Sequence, residues 1–205
     1  MLSVGCGTGS FDLELAQLLP NLRELVLVEP NQNHLASLEK NVAATAAPFT
    51  TRIEASPVET CHFDEHFDLI LFAHSLYYMT DVANILKRAA GILSERGQLL
   101  LLHAAQHNGI YQLWRRVGIF GGISLTARHL EDYLIKLGLE FKIDIVPVCL
   151  DLREVSDRII HFLLERKPTK AEIIETRAGL LDMAPDGFLT QDTVAIVVQP
   201  KDAMT

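Results

Sequence analysis

Residues 1–16 read "MLSVGCGTGSFDLELA". A short apolar run, Leu2–Val4, meets Gly5-Cys6-Gly7-Thr8-Gly9, and a helical pattern begins at Ser10. Glycines between a strand and a helix let the backbone turn tightly and come close to a ligand. The spacing is G-x-G-x-G. A dinucleotide-binding loop has G-x-G-x-x-G, and a P-loop ends in Lys followed by Ser or Thr. Neither pattern is present, which argues against a nicotinamide-dependent oxidoreductase and removes the P-loop reading. The loop's complement is Glu29, at the end of "ELVLVE" (24–29). A carboxylate at the carboxyl edge of a sheet accepts both hydroxyls of a ribose. Glycine loop and acid together predict a nucleoside site; the alternative role for Glu29 is capping the helix that starts near Asn31.

The rest of the chain continues the strand–helix alternation. Ser10–Leu19 reads as a helix stopped by Pro20-Asn21, and Asn31–Val42 as a second with Leu35, Leu38 and Val42 on one face. Strands are expected at 49–55, 67–73 and 98–104, with Gly97 ending the unit before the last of these. Asp81 caps a helix whose Val82, Ile85, Leu86, Ala89 and Leu93 recur at helical spacing. Residues 109–124 read as a short helix and a Gly-rich turn. Thr126 opens a helix that Gly138 stops. "EFKIDIV" alternates as a sixth strand, two amphipathic helices follow at 153–166 and 169–183, and 192–199 closes as a seventh strand. This rhythm predicts a single doubly wound α/β domain over 1–205.

Composition agrees. The chain has 205 residues, 49 % of them hydrophobic, and its mean hydropathy of +0.20 suits a sheet buried on both faces. No apolar run approaches the ~20 residues of a membrane span, and no basic segment precedes the first apolar residues as in a signal peptide. A net charge of −8 opposes phosphate-rich partners, so nucleic acid is not expected. The cluster "RKPTK" (166–170) reads as a solvated helix end. Cys6, Cys61 and Cys149 are odd in number and lack C-x-x-C spacing, which fits a reducing cytoplasm. "CHFDEHF" (61–67) gathers Cys61, His62, Asp64 and His66 on a polar loop without distant ligands, so no metal is expected.

"LSVGCGTGSFD", "LVEPN", "FDLILFAHSLYYMTD" and "LKRAAGILSERGQLLLL" resemble the class I S-adenosylmethionine-dependent methyltransferases. The resemblance covers nearly the whole chain and implies a Rossmann-like, seven-stranded, mostly parallel sheet with an antiparallel last strand. It implies S-adenosylmethionine as cofactor and S-adenosylhomocysteine as product. By it, Gly5, Gly7 and Gly9 line the methionine part, Glu29 holds the ribose, Ser56 sits near the adenine, and Ala73 and His74 border the methyl group.

Within that class "LYYMTDV", "GIYQLWRRVG" and "TVAIVV" resemble histamine N-methyltransferase-like proteins. The chain departs from them with His74 where that family has glutamine, Asp192 where it has asparagine, and Ile110 where it has one of two tryptophans; the other appears as Trp114. A small-molecule acceptor, an amine or imidazole-type nitrogen, is implied. Segments 105–125 and 150–186 are expected to cover the substrate side.

Methyl transfer requires an unprotonated nucleophile in line with the leaving sulfur, so positioning supplies most of the catalysis. His74 titrates near neutrality and suits proton acceptance or a hydrogen bond to a substrate nitrogen; its alternative is satisfying a nearby backbone group. Tyr77, Tyr78, Trp114 and Phe120 suggest an aromatic wall for a cationic or ring-bearing substrate, with Asp192 as its counter-charge. The resembled proteins carry further residues before the glycine loop. A charged terminus beside the central strand is costly, so the expectation is a shortened chain that keeps the cofactor fold. The competing reading is a truncated or non-catalytic nucleoside-binding protein of the same fold.

Overall fold

The computed structural model describes residues 1–105, 108–116, 125–164 and 168–199. The strands are β1 (Leu2–Val4), β2 (Glu24–Val28), β3 (Thr50–Glu54), β4 (Phe67–Ala73), β5 (Leu93–Ala104), β6 (Glu140–Val146), β7 (Cys149–Asp151), β8 (Phe188–Thr190) and β9 (Thr193–Gln199). The helices are α1 (Ser10–Gln17), α2 (Gln32–Ala44), α3 (Val82–Gly91), α4 (Gly109–Arg116), α5 (Ala127–Lys136), α6 (Asp157–Leu163) and α7 (Lys170–Met183). A 3-10 turn spans Leu76–Tyr78.

Seven strands form one sheet in the order β3-β2-β1-β4-β5-β9-β6, mostly parallel with an antiparallel strand. The chain divides into two compact units: Met1–His103 with Arg128–Ile143 and Ala195–Thr205, and Ala104–Ala127 with Asp144–Val194.

In the first unit β1 is central, pairing in parallel with β2 and β4. Leu25 and Leu27 of β2, Leu71 of β4, Leu13 and Ala16 of α1, and Leu38 of α2 bury one face. Amphipathic α3 is capped by Asp81, whose carboxylate accepts the Asn84 N–H at 3.2 Å. It buries Val82, Ile85, Leu86 and Ala89, and burying an aliphatic side chain fully is worth about 1.5–3 kcal/mol.

The second unit has its own core, in which α7 packs on α4 and α6. Ile110, Leu113, Leu152, Ile160, Leu163 and Leu180 meet there. The two-stranded antiparallel sheet of β7 and β8 belongs to it.

Three sequence expectations change. Gly97 lies inside β5, which begins at Leu93. The β4–β5 register shifts between Phe67 and Leu69, and a Cβ on Gly97 would fall 2.5 Å from the Phe67 carbonyl oxygen. Gly97 is therefore a close-approach residue in a bulged strand rather than a stop. Helix α6 starts at Asp157, not 153, because the Asp151 carboxylate accepts the Arg153 N–H at 3.0 Å and holds a turn there. Helix α7 is not cleanly amphipathic: Ile174 and Leu181 are exposed. Among the described residues no helix is long and apolar enough to cross a membrane.

Candidate active site

The glycine loop leaves β1 at the carboxyl edge of the sheet. Gly5, Gly7 and Gly9 have φ of 71°, 59° and 73°, the left-handed region that side chains resist. The Gly5 N–H donates to the Val28 carbonyl at 2.8 Å, and the Gly9 N–H to the Cys6 carbonyl at 2.9 Å. Gly9 then caps α1.

Two glycines face different surroundings. A Cβ on Gly5 would stand 2.4 Å from Ser75 Cβ, whereas one on Gly7 would meet nothing nearer than His34 Nδ1 at 3.9 Å. Gly5 is pressed against the end of β4, and Gly7 borders open space.

Glu29 follows β2 and is buried. Its Oε2 accepts the Gly7 N–H at 2.7 Å and its Oε1 the Asn31 N–H at 2.8 Å. The first helical cap belongs to Asn31, whose side chain accepts the Asn33 N–H. Glu29 instead ties the loop to the start of α2. Each carboxylate oxygen keeps acceptor capacity beyond one backbone donor. His34 Nδ1 lies 3.6 Å from Glu29 Oε1, a neighbour that sequence reasoning missed. Ser56 sits half-buried after β3. Arg88 of α3 fixes the segment that follows it, donating to the carbonyls of Glu59 at 3.0 Å and Cys61 at 2.6 Å.

The loop also hides a carboxyl. Asp12 of α1 is buried and accepts a hydrogen bond from the Ser3 hydroxyl. Burial pushes its pKa above the usual carboxylate value. The Cys6 thiol is pushed up as well, by burial and then by the nearby Asp12 and Glu29.

At the end of β4, Ala73 is followed by His74 with φ of 52°. A non-glycine residue in that region carries about 1–3 kcal/mol of strain. Its neighbours hold it there: the His74 N–H donates to the Leu102 carbonyl at 2.9 Å, and the Ser75 hydroxyl donates to the Val4 carbonyl at 2.6 Å. His74 Nδ1 is 3.2 Å from the Tyr77 hydroxyl. The ring keeps a solvent-facing edge, yet desolvation by the protein around it lowers its pKa. Tyr78 is 69 % exposed, and its ring meets Tyr77 edge-on at 6.2 Å.

Because Gly5 abuts Ser75, the glycine loop and His74 are neighbours within the first unit. Trp114 and Asp192 belong to the second unit. Trp114 lies on α4 with its side chain outside the described part, and Phe120 lies outside the described residues. The Asp192 carbonyl accepts the Ala105 N–H at 2.9 Å. Among the described residues no group of three or more His, Cys, Asp or Glu is placed to hold a metal ion.

This geometry fits a nucleoside cofactor: a glycine cradle open at Gly7, and an anchored carboxylate beside it. Residues 2–101 match the family model described as a methyltransferase domain. The fold is shared with the YcgJ protein of Bacillus subtilis, with a TM-score of 0.72 and 15 % identity over 98 % of this chain and 92 % of that one. It is shared also with the plantazolicin methyltransferase BpumL, solved with S-adenosylhomocysteine and a triazolic desmethylPZN analog, with a TM-score of 0.61 and 12 % identity over 98 % and 76 % of the two chains. Residues 2–101 thus match a methyltransferase domain, and the sheet is the Rossmann-like one of the methyltransferases that share this fold. Among curated proteins, carnosine N-methyltransferase 2 of Gallus gallus is 26 % identical over 173 residues, 75 % of this chain and 54 % of that protein. The chain thus spans about half the length of that relative.

Proposed function

We propose that the protein transfers a methyl group to a nitrogen of a small amine or imidazole-type acceptor, histamine-like in chemistry. The observation that carries this reading is the strained His74, held at the end of β4 next to Ser75, the residue that Gly5 abuts. The relative named for N-methylation of carnosine, an imidazole-bearing dipeptide, supports a nitrogen acceptor.

S-adenosylmethionine supplies an electrophilic methyl on a positively charged sulfur. In this reading Gly5, Gly7 and Gly9 bind its methionine part, Glu29 accepts its ribose hydroxyls, Ser56 borders its adenine and Ala73 lies beside the methyl. His74 hydrogen-bonds the acceptor nitrogen and takes the proton that nitrogen loses. Its lowered pKa keeps the imidazole neutral, as a proton acceptor must be. Tyr77 and Tyr78 offer ring faces to a cationic or aromatic acceptor, each such contact worth about 0.5–2 kcal/mol.

Calorimetric titration of S-adenosylhomocysteine into the wild type and Glu29→Ala tests the first step. The variant loses charge-assisted hydrogen bonds worth about 1.5–3 kcal/mol each, so its affinity falls at least tenfold. A panel of small amines and imidazoles then tests transfer. Equal binding by the two proteins would overturn the cofactor assignment, and binding without transfer to any nitrogen would overturn the acceptor class.

A further inference from the structure

His103 is a further ring at the ends of β4 and β5 that the proposed chemistry leaves unused. It is fully buried, and its ring lies 4.2 Å from that of Tyr77 at an interplanar angle of 29°. Tyr77 also meets His74, whose ring is 6.3 Å away and inclined by 16°. The preceding residue, Leu102, pairs with Ala73 in the sheet and accepts the His74 N–H. One strand end thus holds the His74 backbone and, one residue on, supports the ring that meets its side chain.

We propose that His103 is a positioning residue that fixes the Tyr77 ring by stacking under it, so that the Tyr77 hydroxyl sets the orientation and tautomer of His74. The assignment rests on the reading of His74 given above. Tyr77 sits on a 3-10 turn of three residues. A flat buried face at stacking distance restricts its ring, because aromatic pairs hold preferred relative geometries that stabilise beyond their area burial. The left-handed backbone of His74 limits where its imidazole points, and a hydrogen bond at Nδ1 selects which ring nitrogen is left for other chemistry. A residue at position 103 that fills the volume without a flat face supports Tyr77 poorly. Phenylalanine keeps the face and discards the ring nitrogens.

The test compares His103→Leu, His103→Phe and Tyr77→Phe in the whole chain. Nitrogen-15 NMR reads the His74 ring, kinetics reads transfer to the best acceptor of the panel, and S-adenosylhomocysteine affinity reports the folded state. His103→Leu and Tyr77→Phe should both collapse the fixed His74 tautomer into an averaged signal. In His103→Leu, kcat should drop about ten- to a hundredfold, as misplacement near 1 Å does, with the cofactor KM unchanged. His103→Phe should restore the His74 signature and return kcat to within about threefold of wild type.

A wild-type His74 signal in folded His103→Leu overturns the proposal. So does a folded His103→Phe that behaves like His103→Leu. If the ring signal responds as expected while no variant or wild type transfers methyl, the positioning role stands and the proposed reaction fails.

Discussion

Adding one methyl group to the glycine loop should separate its structural from its binding positions. Gly5→Ala and Gly7→Ala each place a side chain in the left-handed region, at a cost of about 1–2 kcal/mol. At Gly5 the new Cβ would also collide with Ser75 Cβ at 2.4 Å. Ser75 has little room to yield, because its hydroxyl holds the Val4 carbonyl at 2.6 Å and its backbone follows strained His74. Overpacking of that kind adds about 1–3 kcal/mol, so Gly5→Ala should lose about 2–5 kcal/mol in urea denaturation and Gly7→Ala about 1–2 kcal/mol. At Gly7 the methyl enters open space beside Glu29 and His34. It should weaken S-adenosylhomocysteine binding at least tenfold, about 1.4 kcal/mol, in a protein that remains folded. If Gly7→Ala binds like wild type and Gly5→Ala is no less stable than Gly7→Ala, the loop does not cradle the cofactor.

Asp12 predicts a pH signature. Its folded pKa is raised, first by burial, above the ordinary 3.8, so its contribution is fully present below that value and is lost as pH rises through the folded pKa. Asp12→Asn should flatten this part of the stability–pH curve, and an unchanged slope in urea titrations at several pH values would count against the burial argument. His74 acts in the opposite sense. Its pKa lies below the ordinary 6.5, so the acid limb of kcat/KM should fall below pH 6.5 and disappear in His74→Ala. A limb that survives the substitution assigns the proton to another group. Thr169 forms a capping box with Glu172, whose carboxylate accepts the Thr169 N–H at 2.7 Å. Thr169→Ala should cost about 1 kcal/mol and Thr169→Ser almost none, read by denaturant midpoints.

Elements with a local signal were legible in the sequence. Strands β4 and β6 coincide with their apolar or alternating runs, and Asp81 caps α3 as its position before Val82 implies. Gly138 stops α5 with a left-handed φ of 65°. Elements defined by partners were not legible. β7 and β8 are three residues each and pair across a long stretch of chain, so neither shows a period. Gly97 reads as a stop because glycine permits a turn, but here it permits a carbonyl to approach. Only the β4 neighbour distinguishes those two uses.

The same distinction divides the candidate site. The proposed cofactor half is built largely by backbone donors and one carboxylate, so its parts sit in short segments with a recognisable spacing: Gly5 to Gly9, then Glu29. The proposed acceptor half is built by side chains that meet in space. His74 and Tyr77 are near in sequence, but the ring stacked most closely on Tyr77 is His103, on another strand. In the sequence His103 is only a polar residue at the end of an apolar run. Ser3 and Asp12 were hidden likewise: one is a small residue in β1 and the other a polar residue in α1, until the turn at Gly9 folds the helix back over the strand. A site that reads through side chains inherits the sheet order, because β5 is brought beside β4 before His103 can meet Tyr77. The geometry around His74 therefore depends on the register of β4 and β5, and a substitution that slips the bulge between Phe67 and Leu69 should disturb His74 while leaving intact the glycine loop and Glu29, which follow strands β1 and β2.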